Sequence, residues 1–312
     1  MIAVADGLLS HIGHALGITV PILIVLLLGA LFRQRTWVDT GFVESGNRLL
    51  FNVCMPSLLF LATAVQPVAA SDLPLALYGV VATFVTVLLL WWLAPRIVGR
   101  EKRGEFVQCA FRSNMGMIGI ALTVNAYGEG ALARASIFVA AMILAYNVLA
   151  IVVLTSHPDR VLRNLLRNPL LIGILAGIAW QQLRLPMPAI LEDSIAYLAR
   201  MALPLALVCI GASLQWRSLK NSHSDVLWAS AFKMLILPAA ITIAAVLLGF
   251  RGEKLGILFL MVASPTAMVA FVMAREFAAR GEMTARVIAL TTLVMPVTVT
   301  AGYALLASFA LL

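Results

Sequence analysis

Two stretches of this chain place polar, small and helix-breaking residues in the middle of long apolar segments. The first reads Phe111-Arg112-Ser113-Asn114-Met115-Gly116-Met117-Ile118-Gly119, and the second Val262-Ala263-Ser264-Pro265-Thr266-Ala267-Met268. Pro265 removes a backbone N–H and clashes with the carbonyl four residues earlier. Within lipid, a backbone group freed in this way must be satisfied by protein or by water. The freed groups, with Ser113, Asn114, Gly116, Ser264 and Thr266, predict a polar spot inside an apolar bundle. Half-helix N-termini meeting there would attract an anion. A simple proline kink relieved by packing is the alternative. The presence of Asn114 in the matching place of the other half favours a binding site, since paired interrupted membrane helices point to the midplane site of a transporter.

Three basic residues, Arg112, Arg200 and Lys233, also lie deep within apolar segments. A charge at a helix centre costs about 2.5–3.5 kcal/mol on insertion scales, so such residues face a cavity or a partner. Arg200, about ten residues into its segment and so roughly 15 Å deep, is expected to hold a carboxylate in a bidentate grip. Asn52 is its counterpart in the first half. Snorkelling to the interface is the alternative for both Arg200 and Lys233. Arg112 is expected to cap a broken-helix end or to pair with Glu105. No acidic residue and no histidine is expected at mid-span, which removes a dedicated proton relay. A sodium site would have to use carbonyls, Asn114, Asn147 and hydroxyls, with no carboxylate to support it. These residues point to uniport or exchange of an organic anion.

The elements that position these groups follow from composition. Of 312 residues, 62% are hydrophobic and 12% charged, with a mean hydropathy of +1.01; a soluble domain carries about 25% charged residues. The apolar stretches run to about 20 residues, enough to cross a hydrocarbon core of roughly 30 Å. Ten spans are expected, near 11–32, 42–65, 73–97, 105–127, 131–155, 168–184, 190–215, 224–249, 253–275 and 283–311. The basic n-region of a secretory signal is missing, because no Lys or Arg precedes Arg33. No soluble domain is expected. The connections after odd-numbered spans hold thirteen Lys or Arg, among them Arg160, Arg163, Arg167, Arg217, Lys220 and Arg280; those after even-numbered spans hold Arg184, Arg251 and Lys254, with Arg134 close by. The positive-inside rule then places both termini outside the cytoplasm of a multi-pass plasma (bacterial inner) membrane protein. Cys54, Cys109 and Cys209 all fall in apolar segments and read as small core residues; no metal motif and no cofactor motif is present.

The chain also repeats itself at an offset of 148 residues: Gly29 meets Gly177, Gln34 meets Gln182, Pro56 meets Pro204, and Arg103-Gly104-Glu105 meets Arg251-Gly252-Glu253. Carried on into the fourth span, the offset sets Met117 opposite Pro265. Five spans per copy is an odd number, so the second copy enters the membrane from the other side. The expected organisation is residues 1–157 and 158–312 as two inverted five-helix repeats.

Several stretches resemble the auxin efflux carrier family, which includes bacterial malonate and malate permeases and plant auxin exporters. They are Met55-Pro56-Ser57-Leu58-Leu59-Phe60; Phe111-Arg112-Ser113-Asn114 with Gly116 and Gly119; Arg167-Asn168-Pro169 with Gly173 and Gly177; Leu203-Pro204-Leu205-Ala206 with Gly211-Ala212-Ser213-Leu214; and Ser264-Pro265-Thr266 followed by Ala274-Arg275-Glu276-Phe277. The resemblance implies a fold like that of sodium–bile acid symporters and sodium/proton antiporters. Spans 1, 2, 6 and 7 would form a scaffold that often dimerises. Spans 3–5 and 8–10 would form a mobile bundle, with broken helices 4 and 9 crossing at Asn114 and Pro265. Span 4 departs from the proline-bearing crossover of some relatives, since Met115, Gly116 and Met117 follow Asn114.

The composition speaks against other classes. Intramembrane aspartyl proteolysis needs two mid-span aspartates, serine hydrolysis needs a base beside the serine, and a zinc hydrolase needs an HExxH helix; none is present. An enzyme is therefore not expected, nor is a nucleic-acid partner. The expected function is secondary transport of a small organic anion of malonate or malate type by an elevator motion. The alternatives are a carrier of amino acids or auxin-like aromatic weak acids, and a membrane sensor that does not transport.

Overall fold

A computed structural model describes residues 2–65, 70–154, 168–214, 224–278 and 281–312. The basic connections holding Arg160, Arg163, Arg167, Arg217, Lys220 and Arg280 lie outside the described residues, as do the side chains of Glu276 and Phe277. The described chain is helical throughout: α1 (Ile2–Gln34), α2 (Thr40–Val65), α3 (Leu73–Leu93), α4 (Arg103–Phe111), α5 (Met115–Tyr127), α6 (Leu132–Leu154), α7 (Pro169–Gln182), α8 (Ala189–Ser213), α9 (Ser224–Leu247), α10 (Gly252–Val262), α11 (Met268–Ala278) and α12 (Glu282–Ser308). Among the described residues there is no strand, only one isolated bridge. Seven helices (α1, α2, α3, α6, α8, α9 and α12) are long and apolar enough to cross a membrane, and α5 and α7 are shorter apolar helices. This is a multi-pass membrane protein.

The helix ends follow local chemistry. Asn168 caps α7 by accepting from the N–H groups of Leu170 and Leu171, and Pro169 opens that helix where no N–H is needed. Asp39 caps α2 by accepting from Phe42 at 2.7 Å. Helix α2 loosens into a π turn at Leu50–Cys54, and α9 does so at Phe232–Ile236. Each π turn stands just ahead of a proline, Pro56 or Pro238, whose missing N–H interrupts the ladder there.

Two close helix pairs rest on glycine. Gly29 lies against the Val208 backbone, where α1 meets α8, and Gly177 lies against the Phe60 carbonyl, where α2 meets α7. A Cβ at either position would collide with main chain. The two contacts are related: 29 and 177, like 60 and 208, differ by 148. The same relation joins Gly211 against Leu26 with Thr63 against Ile174, whose carbonyl accepts from Thr63 Oγ1 at 3.3 Å.

At one end of the molecule, four charges join three helices. Arg134, near the start of α6, donates to Asp72 at 2.8 Å and to Glu253 of α10 at 2.5 Å; Lys254 lies 3.6 Å from the same aspartate. Lys102 pairs with Asp225 at 3.1 Å, tying the connection before α4 to α9.

Candidate functional site

The two interrupted segments meet. Helix α4 stops at Phe111, and Arg112 leaves it in an extended conformation (φ −80°, ψ 97°). Helix α10 stops at Val262. Ser113 and Thr266 then pair as an antiparallel bridge. The Asn114 N–H donates to the Pro265 carbonyl at 2.7 Å, and the Ala267 N–H donates to the Arg112 carbonyl at 3.0 Å. The backbone groups that the breaks release therefore satisfy one another, which permits irregular chain in an apolar interior. Beyond the crossing, the Asn114 carbonyl accepts from both Ile118 and Gly119, which opens α5 with a π turn.

The register of the crossing differs from the sequence expectation. The constant offset sets Met117 opposite Pro265, whereas the bridge pairs Ser113 with Thr266, 153 residues apart. Helix α10 has 11 residues where α4 has nine, and the extended segment that follows it is longer too. Met117 lies in the π turn, beyond the break itself.

Side chains cap the severed ends in a reciprocal way. Ser113 Oγ donates to the Val262 carbonyl at 3.1 Å, and Thr266 Oγ1 donates to the Cys109 carbonyl at 2.9 Å. Each segment thus supplies a hydroxyl to a last-turn carbonyl of the other broken helix, groups that have no partner within their own helix. Ser264 Oγ donates to Met261 at 2.7 Å, and the Thr266 N–H donates to Thr291 Oγ1 of α12 at 3.2 Å. Lys233 Nζ donates to Val262 at 2.6 Å from the side of α9.

Arg112 is 6% exposed. Its guanidinium donates to the Tyr146 carbonyl and to Asn147 Oδ1, each at 3.0 Å. It does not pair with Glu105. The Glu105 carboxylate instead accepts from the Thr284 N–H at 3.0 Å and its hydroxyl at 2.8 Å, capping the start of α12. Glu105 lies two helical turns back from Arg112, and the N-terminus of α12 is a better partner for its charge.

A cavity of about 210 Å³ opens beside the crossing, lined among others by Arg112, Ser113, Asn114, Gly116, Tyr146 and Asn147. Its lining contains one cation and no carboxylate. Phe51 of α2 and Asn168 at the start of α7 complete one wall. Pro265, Ser264 and Thr266 are buried behind it.

Three expected site residues lie elsewhere. Arg200 is exposed and lines a second cavity of about 520 Å³, between α2, α8 and the ends of α5 and α6, with Glu129 and Glu192. Asn52 is exposed and donates to the Arg48 carbonyl at 2.7 Å within its own helix. Lys233 lies beside neither large cavity but on a small space of about 10 Å³ behind the crossing. Among the described residues, no group of three His, Cys, Asp or Glu is placed to hold a metal ion. Sequence reasoning missed Tyr146, whose carbonyl anchors Arg112, and Thr291, which receives the Thr266 N–H. Threonines adjacent at 291 and 292 in an apolar helix are the only signal that could have flagged the latter.

The chain is similar to known membrane transport proteins along most of its length. A family model described as a membrane transport protein matches residues 14–160 and 155–303. An uncharacterized transporter of Methanothermobacter thermautotrophicus is 26% identical over 263 residues, which is 82% of this chain and 86% of that protein. Auxin efflux carrier component 3 of Arabidopsis thaliana is 31% identical over 121 residues, 37% of this chain and 19% of the plant protein. Component 2 from the same plant is 32% identical over 144 residues, 44% of this chain and 22% of its own. With transmembrane helices throughout and the family model spanning both halves, the chain is a membrane transporter and belongs to the membrane transport protein family, that of the auxin efflux carriers.

Proposed function

We propose that this transporter carries a small organic anion, a carboxylate of malonate or malate type, by alternating access, with its site at the crossing. The observation that carries the reading is the cavity beside Asn114, with a buried guanidinium in its lining and no acid. The first turn of α5 borders the same space, and a helix N-terminus favours negative charge. Asn114 supplies a carboxamide and Asn147 a second, enough to orient a carboxylate.

Ten spans in two inverted repeats organise this reading, with α4/α5 and α10/α11 as the two broken spans. The paired glycine contacts at a spacing of 148 residues support it, since one two-fold relation maps α1 on α8 onto α7 on α2. In this reading α1, α2, α7 and α8 form the scaffold and dimerise, while α3–α6 and α9–α12 move as an elevator. The two cavities lie at opposite depths. Along α6 the crossing cavity touches Val139 to Asn147 and the larger one Leu132; along α2 they touch Phe51 and Leu58 to Val65 respectively. Motion of the bundle would open the site first towards one and then towards the other. The Thr19 and Thr300 hydroxyls, 2.8 Å apart, and the bond from Asn125 to the Ile18 carbonyl are contacts that such motion must exchange. The excess of basic residues after odd-numbered spans favours an orientation with both termini outside the cytoplasm, in a bacterial inner membrane.

An auxin-like aromatic weak acid is the second reading. It is favoured by the names of the plant relatives and by Phe51 and Tyr146 in the cavity lining. Uptake of labelled malonate and malate into proteoliposomes under an imposed membrane potential tests the first reading, with indole-3-acetate as competitor. Uptake that the Asn114→Ala/Pro265→Ala double variant loses is expected. Uptake of labelled indole-3-acetate, with no uptake of either dicarboxylate, would move the assignment to the second reading.

A further inference from the structure

Lys233 is 2% exposed, and among the described residues its ammonium has no carboxylate partner. It lies in the π turn of α9 ahead of Pro238 and reaches the last carbonyl of α10, Val262, at 2.6 Å. Ser113 Oγ, from the other arm of the crossing, donates to the same oxygen at 3.1 Å. The end of a severed helix presents unpaired carbonyls and the negative pole of the helix dipole. Such a group of oxygens in an apolar interior calls for a cation. The surrounding wall supplies further oxygens, the hydroxyls of Thr83, Thr86 and Tyr146, and no acid. Carbonyl and hydroxyl oxygens are ligands suited to a hard metal cation. The space left beside the ammonium is about 10 Å³, room for a single water at most.

We propose that Lys233 is a tethered counter-cation for the broken helix α10, occupying the place a free alkali cation would otherwise have to fill, so that the crossing is assembled without added sodium or potassium. Lys233 is a positioning residue in this scheme: it acts on the crossing through the Val262 carbonyl and does not touch cargo. Its ammonium moves with α9 and α10 and is never released to either side.

The experiment compares purified wild type with Lys233→Ala by thermal unfolding in detergent and by substrate counterflow in proteoliposomes. Each is measured in choline, sodium or potassium chloride, with n-propylammonium or n-propanol added. Propylammonium replaces the deleted part of the side chain with its charge; propanol replaces it without the charge. The wild-type unfolding midpoint should be the same in choline as in sodium. The variant midpoint should fall by several degrees and recover in propylammonium or in a small alkali cation, but not in propanol. Counterflow should fall at least tenfold and recover in the same additives. A sodium requirement in wild type overturns the proposal even if the variant cannot be purified. Equal rescue by propanol overturns it as well, because the site would then need volume and not charge. Full activity of Lys233→Met would do the same. The unfolding readout needs no substrate, so a wrong cargo assignment leaves this test intact.

Discussion

The two arms of the crossing reach similar backbone geometry by different means. In the α10/α11 arm the break has a local cause: Pro265 has no N–H to give to the helical ladder, although Pro21, Pro204 and Pro296 are accommodated inside continuous helices. In the α4/α5 arm every residue from Phe111 to Gly119 could be helical. Here the break is tertiary, held by Arg112 on the Tyr146 carbonyl and Asn147 and by the backbone bonds to Pro265 and Ala267. One arm carries its own bias towards the break, whereas the other is broken only because its partner and α6 hold it open. The proline-free arm should therefore be the one that substitutions disturb most.

Arg112→Ala offers the harshest way to break this comparison. It deletes two charge-assisted bonds and leaves buried acceptors unpaired, a loss of about 3 kcal/mol. Thermal unfolding should show that destabilisation, and hydrogen exchange should speed up at the amides of residues 115–119 while those of 268–272 hold. Equal acceleration in both arms would mean that they are not independently supported. Pro265→Ala should act in the opposite sense. It permits a continuous helix, so insertion and unfolding midpoint should hold or rise while transport drops at least about tenfold, about 1.4 kcal/mol in the barrier. An active Pro265→Ala protein would show that the bridge alone keeps this arm open. Asn114→Ala leaves the main-chain bonds in place and removes only the carboxamide; substrate affinity should fall about tenfold, about 1.4 kcal/mol, as read by binding in detergent. The smallest effect belongs to Arg200→Ala. Because Arg200 lines the other cavity, binding at the crossing should change by no more than about 0.5 kcal/mol, and any loss should appear only in uptake from that cavity's side.

How much of this was legible in the chain depends on how local the cause was. Pro265 and Asn114 announce themselves, because a proline and an asparagine amid apolar residues disrupt a regular pattern. The 148-residue offset was legible through glycines, and Gly29 and Gly177 make related contacts with Val208 and Phe60. The partners of Arg112 were not legible. Tyr146 and Asn147 are 34 and 35 residues away, and nothing in the sequence sets them against Glu105, one short stretch upstream. The crossing register failed for a related reason. A constant offset assumes arms of equal length, and two extra residues in α10 are invisible among leucines and methionines. Arg200 was expected at the site from its count of residues into the span, but such a count does not say which of two cavities a side chain lines.

The bridge between Ser113 and Thr266 is made of main chain, so it is written in no particular side chain. Substitution at 113, 114, 264 or 266 changes caps and lining while the Asn114–Pro265 and Ala267–Arg112 backbone bonds can persist. A lineage built on this joint could exchange one cargo for another by altering a few side chains, without having to reinvent the architecture that carries it.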